Sequence, residues 1–541
     1  MKATMMQVPL NLSHFLERAG KLFGGQEIVS RLPDKSLHRY TYADFHRRSR
    51  FLAEALTRAG LRRGDRVATL MWNHYAHYES YFGISAAGGV LHTLNLRLAP
   101  DEIAWIANHA RDRFLIVDDV LLSLFEKFRD KVKLERVVVV PLTGAPVAAG
   151  FDDYEAFLET ATGEFDYPEM DEDEPCAMCY TSGTTGRPKG VVYSHRSQVL
   201  HSLVQAIPDA LAMSGADVIL PVVPMFHANA WGVPYTAAML GAKMVFPGPH
   251  LHPEDLLPLL ESEQATLSCG VPTIWLAMVH MLEHNPGKWK LNPGLRLTVG
   301  GSAVPEALIR AYAKLGITVL QGWGMTETSP LASVSKITAQ QRNLSEDERF
   351  GVLALQGYPL PLVGLRAIGD DGEVPWDGRA VGEIQVAGPW ITGSYHDQAT
   401  PDNFAEDGWL RTGDVASIDA LGFIKITDRT KDLIKSGGEW ISSVDLENAI
   451  MGHPSVQEAA VIAVPHPKWS ERPLAVIVLK PGMQAGETDI RAHLSTLFVK
   501  WMLPDAYVFV DAIPRTSTGK FLKSKLREQY RDWRWPDTAG S

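Results

Sequence analysis

The feature that most constrains the fold is the alternation of strand-like apolar segments with segments of helical periodicity. The helical pattern YADFHRRSRFLAEALTRAG (42–60) is followed by the β-branched GDRVATLMW (64–72), and the next round ends in RFLIVDD (113–119). The same alternation returns from His195 to about residue 301. Strands that alternate with helices are typical of α/β layers. The sequence therefore predicts two similar α/β units lying side by side.

The pattern changes in the last third of the chain. From about residue 350, short strands separated by Gly and Pro turns predict a compact β unit. From about residue 430, a helix at 442–453, strands at 456–466 and 473–481, and a helix at 489–501 are expected. This tail predicts a small separate α+β domain. Its charged connection, TDRTKD (427–432), is suited to act as a hinge.

Composition and charge exclude several classes of protein. The chain has 541 residues and a net charge of -11, with 52 Lys and Arg against 63 Asp and Glu, which is a poor match for nucleic acid. No apolar run reaches the roughly 18–20 residues that span a bilayer, and the N-terminus lacks the apolar core of a signal peptide. We therefore expect no nucleic-acid partner, no integral membrane segment and a cytoplasmic location.

The cysteines raise the question of a metal or redox site. Cys176 and Cys179 form a C-x-x-C, but no second pair follows at metal-ligand spacing, and Cys269 stands alone. The pair lies in the apolar segment CAMCY, which is typical of a buried strand. Core packing is the expected role of the pair.

The loop YTSGTTGRPKG (180–190) is the most distinctive short segment. Glycines let the backbone approach an anion closely, while hydroxyls and a lysine add donors and positive charge. The segment lacks the G-x-x-x-x-G-K-[ST] pattern of a P-loop, and a flexible linker is the competing interpretation. Because an apolar strand precedes it and GVVYSHRSQVL follows, we interpret it as a phosphate-binding loop of a different kind.

The same loop resembles the signature loop of the adenylate-forming superfamily, which includes acyl-CoA synthetases, aryl-CoA ligases, peptide-synthetase adenylation domains and beetle luciferases. The resemblance covers essentially the whole chain, and KDLIKSGGEWISSVDLE (431–447) is particularly similar to bacterial medium- and long-chain fatty acyl-CoA synthetases and to a related methylthiopropionate ligase. The other motifs follow in the superfamily's order: PMFHANAWG (224–232), VGGSAVP (299–305), QGWGMTETSP (321–330), GWLRTGDVASID (408–419), DRTKDLIKSGGEWISSVDLE (428–447) and IPRTSTGKFLK (513–523).

The resemblance implies an α/β fold and a two-step reaction. A large N-terminal domain (1–427) would hold the two α/β units and the β unit, and a small mobile α+β domain (428–541) would rotate about Asp428. A carboxylate would attack the α-phosphorus of ATP to give an acyl-adenylate and pyrophosphate, after which the thiol of coenzyme A would displace AMP. Both steps concentrate negative charge, so the site needs cations, metal and oriented donors.

Roles in the nucleotide site follow from the resemblance, residue by residue. The phosphate loop would hold the β- and γ-phosphates, while Thr184 and Glu327 would position Mg²⁺, a hard cation that prefers oxygen ligands. Asp414 would accept both ribose hydroxyls. The loop residues are Thr181, Ser182, Gly183, Thr184, Thr185, Gly186 and Lys189; the adenine and α-phosphate wall is Gly301, Ser302, Ala303, Gln321, Gly322, Trp323 and Thr326; and Arg429, Lys431, Lys435 and Trp440 would complete the site from the hinge side.

Lys520 is the expected catalytic residue of the first step, because a long ammonium side chain reaches the carboxylate and α-phosphate oxygens. Coenzyme A needs the same space, which the superfamily provides by rotating the small domain. Rotation would bring Gly437 and Gly438 to the site, where they would leave a channel for the pantetheine arm.

The acid-binding segment 222–235 contains no acidic residue, which speaks against an amino acid substrate. His227 would lie between the adenylate and the acid pocket, and Trp231 would line or gate an apolar tunnel; core packing remains the alternative for both. No carrier domain follows residue 541, so free coenzyme A is expected as acceptor. A fatty acid is the preferred substrate. A methylthio, aryl or short branched acid, and a non-catalytic binding module, are the alternatives. The sequence does not determine the oligomeric state, and a homodimer is one expectation.

Overall fold

The structure is a computed structural model that describes residues 3–181, 187–429, 432–436, 439–516 and 520–535. Its strands in chain order are β1 Glu27–Arg31, β2 Leu37–Thr41, β3 Arg66–Leu70, β4 Val90–Thr93, β5 Asp112–Asp118, β6 Arg136–Val140, β7 Asp152–Asp153, β8 Pro175–Tyr180, β9 Gly190–Ser194, β10 Val218–Pro221, β11 Lys243–Phe246, β12 Leu267–Gly270, β13 Arg296–Val299, β14 Thr318–Gly324, β15 Leu331–Val334, β16 Tyr358–Pro359, β17 Gly364–Gly369, β18 Gly372–Glu373, β19 Val381–Ala387, β20 Leu410–Ile418, β21 Ile424–Arg429, β22 Ile434–Ser436, β23 Glu439–Ile441, β24 Val456–His466, β25 Ser470–Leu479 and β26 Ala506–Phe509.

The helices alternate with these strands in the first two thirds of the chain. In chain order they are α1 Ser13–Phe23, α2 Tyr42–Arg58, α3 Tyr75–Ala86, α4 Pro100–Ala110, α5 Leu122–Phe125, α6 Tyr154–Leu158, α7 His195–Ala206, α8 Ala228–Trp231, α9 Val233–Leu240, α10 Pro253–Ser262, α11 Pro272–His284, α12 Glu306–Lys314, α13 Glu346–Leu353, α14 Ser443–Met451, α15 Glu487–Ser495 and α16 Lys523–Gln529.

Two sheets form the α/β units that the alternation predicts. A seven-stranded sheet has the order β7-β6-β5-β3-β4-β8-β9, and a nine-stranded sheet has the order β16-β15-β14-β13-β12-β10-β11-β1-β2. The central pairs are parallel in both sheets. Antiparallel pairs occur at one edge of the seven-stranded sheet, through β9, and at both edges of the nine-stranded sheet, through β2, β15 and β16. The prediction of two α/β units is confirmed. The β1–β2 hairpin joins the second sheet, although the rest of the first 160 residues builds the other unit.

A capping box and prolines in the first turn mark the starts of several helices. Thr41 caps α2 with a capping box: its hydroxyl accepts from the Asp44 backbone N–H, and the Asp44 carboxylate accepts from the Thr41 N–H. Proline occupies the first turn of α4, α9, α10 and α11, where its missing N–H costs nothing. The helix ranges therefore follow signals that are visible in the sequence.

The layers pack through continuous apolar cores. One core contains residues of both sheets together with α1, α2, α3, α7 and α9, so these helices fill the space between the sheets. A second core lies between the nine-stranded sheet and α10, α11 and α12, and a third joins the seven-stranded sheet to α4 and α5. Helices thus cover both faces of each sheet, which is the arrangement that mostly parallel sheets require.

The last third matches its predicted pattern with one error. The β unit is a five-stranded antiparallel sheet, β18-β17-β19-β20-β21. The small C-terminal unit is a mixed sheet of β22 to β26 with α14, α15 and α16 and cores of its own. The helix predicted for 489–501 ends at Ser495, and a 3-10 turn follows at Lys500–Met502. Phe498 still packs against the core, but Leu497, Val499 and Trp501 are exposed, so these apolar side chains do not extend the buried face of the helix. The domain boundary at 427/428 stays a prediction.

The cysteine prediction is confirmed. Cys176 and Cys179 lie in β8 and are buried, as is Cys269. Burial raises the pKa of the Cys179 thiol to about 11, so it is a weak nucleophile at neutral pH. Within the ranges that the structure describes, no helix has both the length and the apolar character needed to cross a bilayer.

Candidate active site

A cavity of about 850 Å³ lies where β12, β13 and β14 end. Parallel strands place ligands at their carboxyl ends, and here the following turns, 300–303 and 325–327, line the opening. The opposite wall comes from β20 and β21 and from the C-terminal unit, including Lys520 and Lys523. The cavity therefore brings together motifs that are up to 340 residues apart in the sequence.

The phosphate loop is pinned at its two ends. The backbone N–H of Thr181 donates to the carbonyl of Lys189 at 2.9 Å, and the Lys189 N–H donates to the Thr181 hydroxyl at 3.0 Å. The Lys189 ammonium donates to Asn403 Oδ1 at 2.6 Å. Thr181 and Lys189 both line the cavity. Ser182, Gly183, Thr184, Thr185 and Gly186 lie outside the described residues, so their predicted roles stay predictions.

Glu327 supplies a buried carboxylate at the cavity wall. It lies in the 3-10 turn Thr326–Thr328, and its Oε1 accepts a hydrogen bond from the Tyr395 hydroxyl at 2.7 Å. Burial raises the pKa of Glu327, whereas the Tyr395 hydrogen bond and the nearby cations Arg429 and Lys189 oppose that rise. The carboxylate is therefore held in place by a neutral donor and faces two cations.

The glycine-rich turns after β13 and within β14 line the cavity as predicted. Gly301 has φ of +87°, which favours glycine, and a Cβ there would lie 3.5 Å from the Lys520 Cε atom. Gln321 is buried, and its Oε1 has no hydrogen-bond partner among the described residues. An orphaned buried acceptor beside a cavity indicates a ligand donor. The predicted wall residues that line the cavity are Gly301, Ser302, Ala303, Gln321, Gly322, Trp323 and Thr326.

Asp414 is held by two donors. The Trp323 indole N–H donates to Oδ2 at 2.9 Å, and Arg429 Nε lies 2.9 Å from Oδ1. Asp414 and Arg429 are directly paired across β20 and β21, which explains why the two side chains meet. The carboxylate oxygens keep further acceptor capacity, since each accepts more than one hydrogen bond.

Lys520 reaches the cavity from the C-terminal unit. Its backbone is fixed in a tight loop, where the Thr516 N–H donates to the Lys520 carbonyl at 2.7 Å and the Lys520 N–H donates to the Thr516 hydroxyl at 3.1 Å. Burial and the cation of Arg429 lower the pKa of Lys520 to about 8, although the carboxylates of Asp414 and Glu327 oppose the change. Lys520 thus faces the predicted nucleotide ligands.

His227 and Trp231 begin and end a left-handed turn that lines the cavity. Ala228, Asn229, Ala230 and Trp231 have φ between +42° and +59°, a conformation that costs roughly 1–2 kcal/mol per residue. Gln205 holds the turn, because its side-chain amide donates to the Trp231 carbonyl at 2.7 Å. Burial, followed by the cations Lys520 and Arg97, lowers the pKa of His227 to about 3. His227 is therefore neutral at physiological pH.

Other predicted residues are not gathered at the cavity. Lys435 and Trp440 pair across the β22–β23 hairpin, with the ammonium 5.2 Å from the indole ring, and neither lines the cavity. Trp440 is 46% exposed. Their nucleotide-binding roles therefore stay predictions that this arrangement does not support. Lys431, Gly437 and Gly438 lie outside the described residues.

Sequence reasoning missed several residues at the site. Tyr395 and Asn403 contact Glu327 and Lys189 from a segment that was interpreted only as part of a β unit. Lys523 forms an ion pair with Glu447 at 2.7 Å inside the C-terminal unit, close to the predicted hinge residue Asp428. The available signal for Lys523 was its position at the end of the motif IPRTSTGKFLK (513–523).

The sequence comparisons identify the family. The profile described as "AMP-binding enzyme" matches residues 16–396, and that described as "AMP-binding enzyme C-terminal domain" matches residues 445–520. The chain therefore belongs to the AMP-binding, or adenylate-forming, enzyme family.

Curated relatives match over almost the whole chain. A long-chain-fatty-acid–CoA ligase of Thermus thermophilus is 51% identical, with 98% of this chain and 97% of the relative covered. A 3-methylmercaptopropionyl-CoA ligase of Ruegeria lacuscaerulensis is 42% identical, covering 98% and 99%. A medium-chain-fatty-acid–CoA ligase of Ectopseudomonas oleovorans is 41% identical, covering 98% of each chain.

The fold is also that of solved enzymes of this kind. The crystal structure of an anthranilate CoA ligase in complex with anthranoyl-AMP has a TM-score of 0.86 at 25% identity, with 98% of this chain and 99% of that chain covered. The expected fold class, a large α/β domain followed by a small α+β unit, is confirmed.

Proposed function

We propose that this protein is an AMP-forming acid–CoA ligase that activates medium- to long-chain fatty acids. The observation that carries the proposal is the position of Lys520, whose side chain enters the cavity from the C-terminal unit and faces Asp414, Glu327 and the Gly301 turn. Relatives named as long-chain and medium-chain fatty acid ligases match the chain from end to end. ATP and coenzyme A are the co-substrates that this family membership implies.

In the first half-reaction, a carboxylate oxygen of the acid attacks the α-phosphorus of ATP. The new O–P bond forms as the α–β bridging P–O bond breaks, and pyrophosphate leaves with the electron pair. Lys520 stabilises the negative charge on the carboxylate and the α-phosphate as they approach. Lys189, at the neck of the phosphate loop, meets the β- and γ-phosphates.

The nucleotide is oriented by groups that line the cavity. The orphaned Gln321 Oε1 accepts from the adenine amino group. Asp414 accepts from the ribose hydroxyls, while Trp323 and Arg429 fix the carboxylate. The glycines of the 300–301 turn let the nucleotide approach the backbone.

Magnesium fits this site through Glu327. The described residues include no cluster of three His, Cys, Asp or Glu arranged to hold a metal. Mg²⁺ commonly takes one or two carboxylates and completes its shell with water and substrate phosphates, so a single buried Glu327 beside the phosphate loop is a suitable protein ligand, with Thr184 as the second predicted one. The bound ion would supply charge neutralisation at the phosphate oxygens.

In the second half-reaction, the thiol of coenzyme A attacks the acyl carbon. A C–S bond forms, the acyl–phosphate C–O bond breaks and AMP leaves. Lys520 would occupy the approach of the thiol during adenylation, so we expect the C-terminal unit to turn away about the predicted hinge at Asp428. Gly437 and Gly438 then form the predicted pantetheine channel.

The acid pocket favours an alkyl chain. Of the segment 222–235, Ala228, Trp231 and the neutral His227 line the cavity, and Leu211, Leu276 and Leu331 line it as well. A methylthioalkanoate is the second candidate, because the 3-methylmercaptopropionyl-CoA ligase matches over the same length. The two differ in chain length and in the sulfur atom.

Catalytic efficiency measured against saturated acids of increasing length tests the proposal. Each buried methylene contributes up to about 0.8 kcal/mol, so efficiency should rise severalfold with each added pair of carbons until the tunnel ends. Trp231→Ala should move that limit to longer acids if the indole lines the tunnel. A flat profile, or a preference for methylthiopropionate over alkyl acids of similar length, would refute the fatty-acid assignment.

A cytoplasmic location and a homodimeric state are further parts of the proposal. Cell fractionation and light scattering of the purified protein test them. Neither is needed for the chemistry described above.

A further inference from the structure

One segment, residues 390–403, lies across both the phosphate loop and the turn that carries Glu327. We call it the strap. Its Trp390 carbonyl accepts from the Ser329 hydroxyl at 2.8 Å, and the Thr392 N–H donates to the Glu327 carbonyl at 2.8 Å. Further on, the His396 N–H donates to the Gly190 carbonyl at 2.9 Å. The strap is thus bonded to the backbone of both elements.

Tyr395 carries the strap's contact with the predicted magnesium carboxylate. Its hydroxyl donates to Glu327 Oε1 at 2.7 Å, and the side chain is buried. A phenol hydroxyl is protonated at neutral pH and therefore acts as the donor to the carboxylate. A hydrogen bond of this kind fixes which carboxylate oxygen faces a ligand.

Asn403 carries the contact with the phosphate lysine. The Lys189 ammonium donates to Asn403 Oδ1 at 2.6 Å and lies 4.8 Å from the centre of the Tyr395 ring. Asn403 and Tyr395 both line the cavity. Lys189 is therefore aimed by two side chains of the strap and not by its own loop alone.

From these contacts we propose that Tyr395 and Asn403 are positioning residues for adenylation. Tyr395 orients Glu327 toward the metal, Asn403 orients Lys189 toward the phosphates, and the strap keeps the two groups at a fixed separation. This inference rests on the proposed function, because it assigns Glu327 to magnesium and Lys189 to ATP. Partners that orient a metal ligand typically change metal affinity by 10–100-fold when removed.

Two single variants separate the two contacts. Tyr395→Phe removes the hydroxyl and keeps the ring over Lys189, so the Mg²⁺ concentration for half-maximal ATP binding should rise about tenfold or more, while ATP binding in EDTA stays unchanged. Asn403→Ala should weaken ATP binding about tenfold both in EDTA and with Mg²⁺, without moving the Mg²⁺ midpoint. A fluorescent ATP analogue measures both quantities at equilibrium, independently of turnover.

Tyr154→Phe is the matched control. The Tyr154 hydroxyl donates to the buried carboxylate of Glu79 at 2.8 Å, the same chemistry away from the cavity. This variant should lower the melting temperature to a similar extent as Tyr395→Phe but leave the Mg²⁺ midpoint at the wild-type value.

The outcomes distinguish the inference from the proposed function. Acid-dependent pyrophosphate release by the unaltered protein tests the function. If that release occurs but Tyr395→Phe leaves the Mg²⁺ midpoint within twofold of wild type, or if both strap variants change binding in the same way, the positioning roles are refuted. If the unaltered protein binds ATP with no dependence on Mg²⁺, the role of Tyr395 is likewise refuted.

Discussion

Adenylation should fall with rising pH, because it needs the charged form of Lys520. Burial and Arg429 lower the pKa of this lysine from 10.5 to about 8. The protonated fraction is then about 0.9 at pH 7, one half at pH 8 and about 0.1 at pH 9. The kcat/KM for ATP reports groups of the free enzyme, so it should decrease about tenfold between pH 7 and pH 9.

The measurement is acid-dependent pyrophosphate release across that pH range, with thioester formation from supplied acyl-adenylate as the parallel assay. Lys520→Ala should lower the rate of pyrophosphate release by about 10²–10³ and abolish the decrease of that rate near pH 8. The rate of thioester formation should be largely preserved. Lys520→Arg should move the decrease in pyrophosphate release beyond pH 10, because a guanidinium stays charged there. A decrease near pH 8 that persists in Lys520→Ala, or an equal loss in both half-reactions, would refute the assignment.

Three further predictions concern other parts of the site. Trp323→Phe removes the indole donor from Asp414 and should weaken ATP binding about tenfold. Titration calorimetry measures the Kd for ATP, and an unchanged Kd would show that Arg429 alone orients the carboxylate. Lys523→Met leaves the buried Glu447 without its ion pair, which should destabilise the C-terminal unit by about 3–5 kcal/mol. Thermal melts at pH 8 measure this loss of stability. The loss should be smaller at pH 5, because the pKa of Glu447 is raised to about 7 and the unpaired carboxyl group becomes neutral below that pH. Gly438→Trp should spare pyrophosphate release but block thioester formation; an equal fall of both would remove Gly438 from the predicted channel.

Much of the fold followed from local signals. The helix α2 and the strand β24 match their predicted segments closely, because periodicity and caps lie within the segment itself. The end of α15 was missed because LFVKW continues to look apolar, whereas in the structure Phe498 turns inward and its neighbours do not. Whether an apolar residue is buried depends on tertiary packing, which no short window contains.

Site residues whose type is constrained by the chemistry were predictable from the sequence. Site residues whose role depends on packing were not. Lys520, Asp414 and Glu327 were found through motifs, and the structure gathers them at one cavity. Tyr395 and Asn403 were missed because a tyrosine or asparagine in a β segment has many ordinary roles. Only their contacts with Glu327 and Lys189 distinguish them. Likewise, the left-handed turn at Ala228–Trp231 has no sequence signal beyond Asn229 and the following Gly232.

The electrostatics of Lys520 connect the two half-reactions. Burial and Arg429 outweigh Asp414 and Glu327 and lower the pKa of Lys520. The triphosphate reverses this balance by adding negative charge, so ATP binding should draw the C-terminal unit inward with its lysine. Loss of pyrophosphate removes most of that charge and weakens the attraction. The Lys520 backbone is bonded to Thr516 of its own unit, so the predicted rotation of that unit about Asp428 would carry the lysine away from the cavity. The charge that assists adenylation therefore predicts that the approach to the acyl carbon opens after pyrophosphate has left.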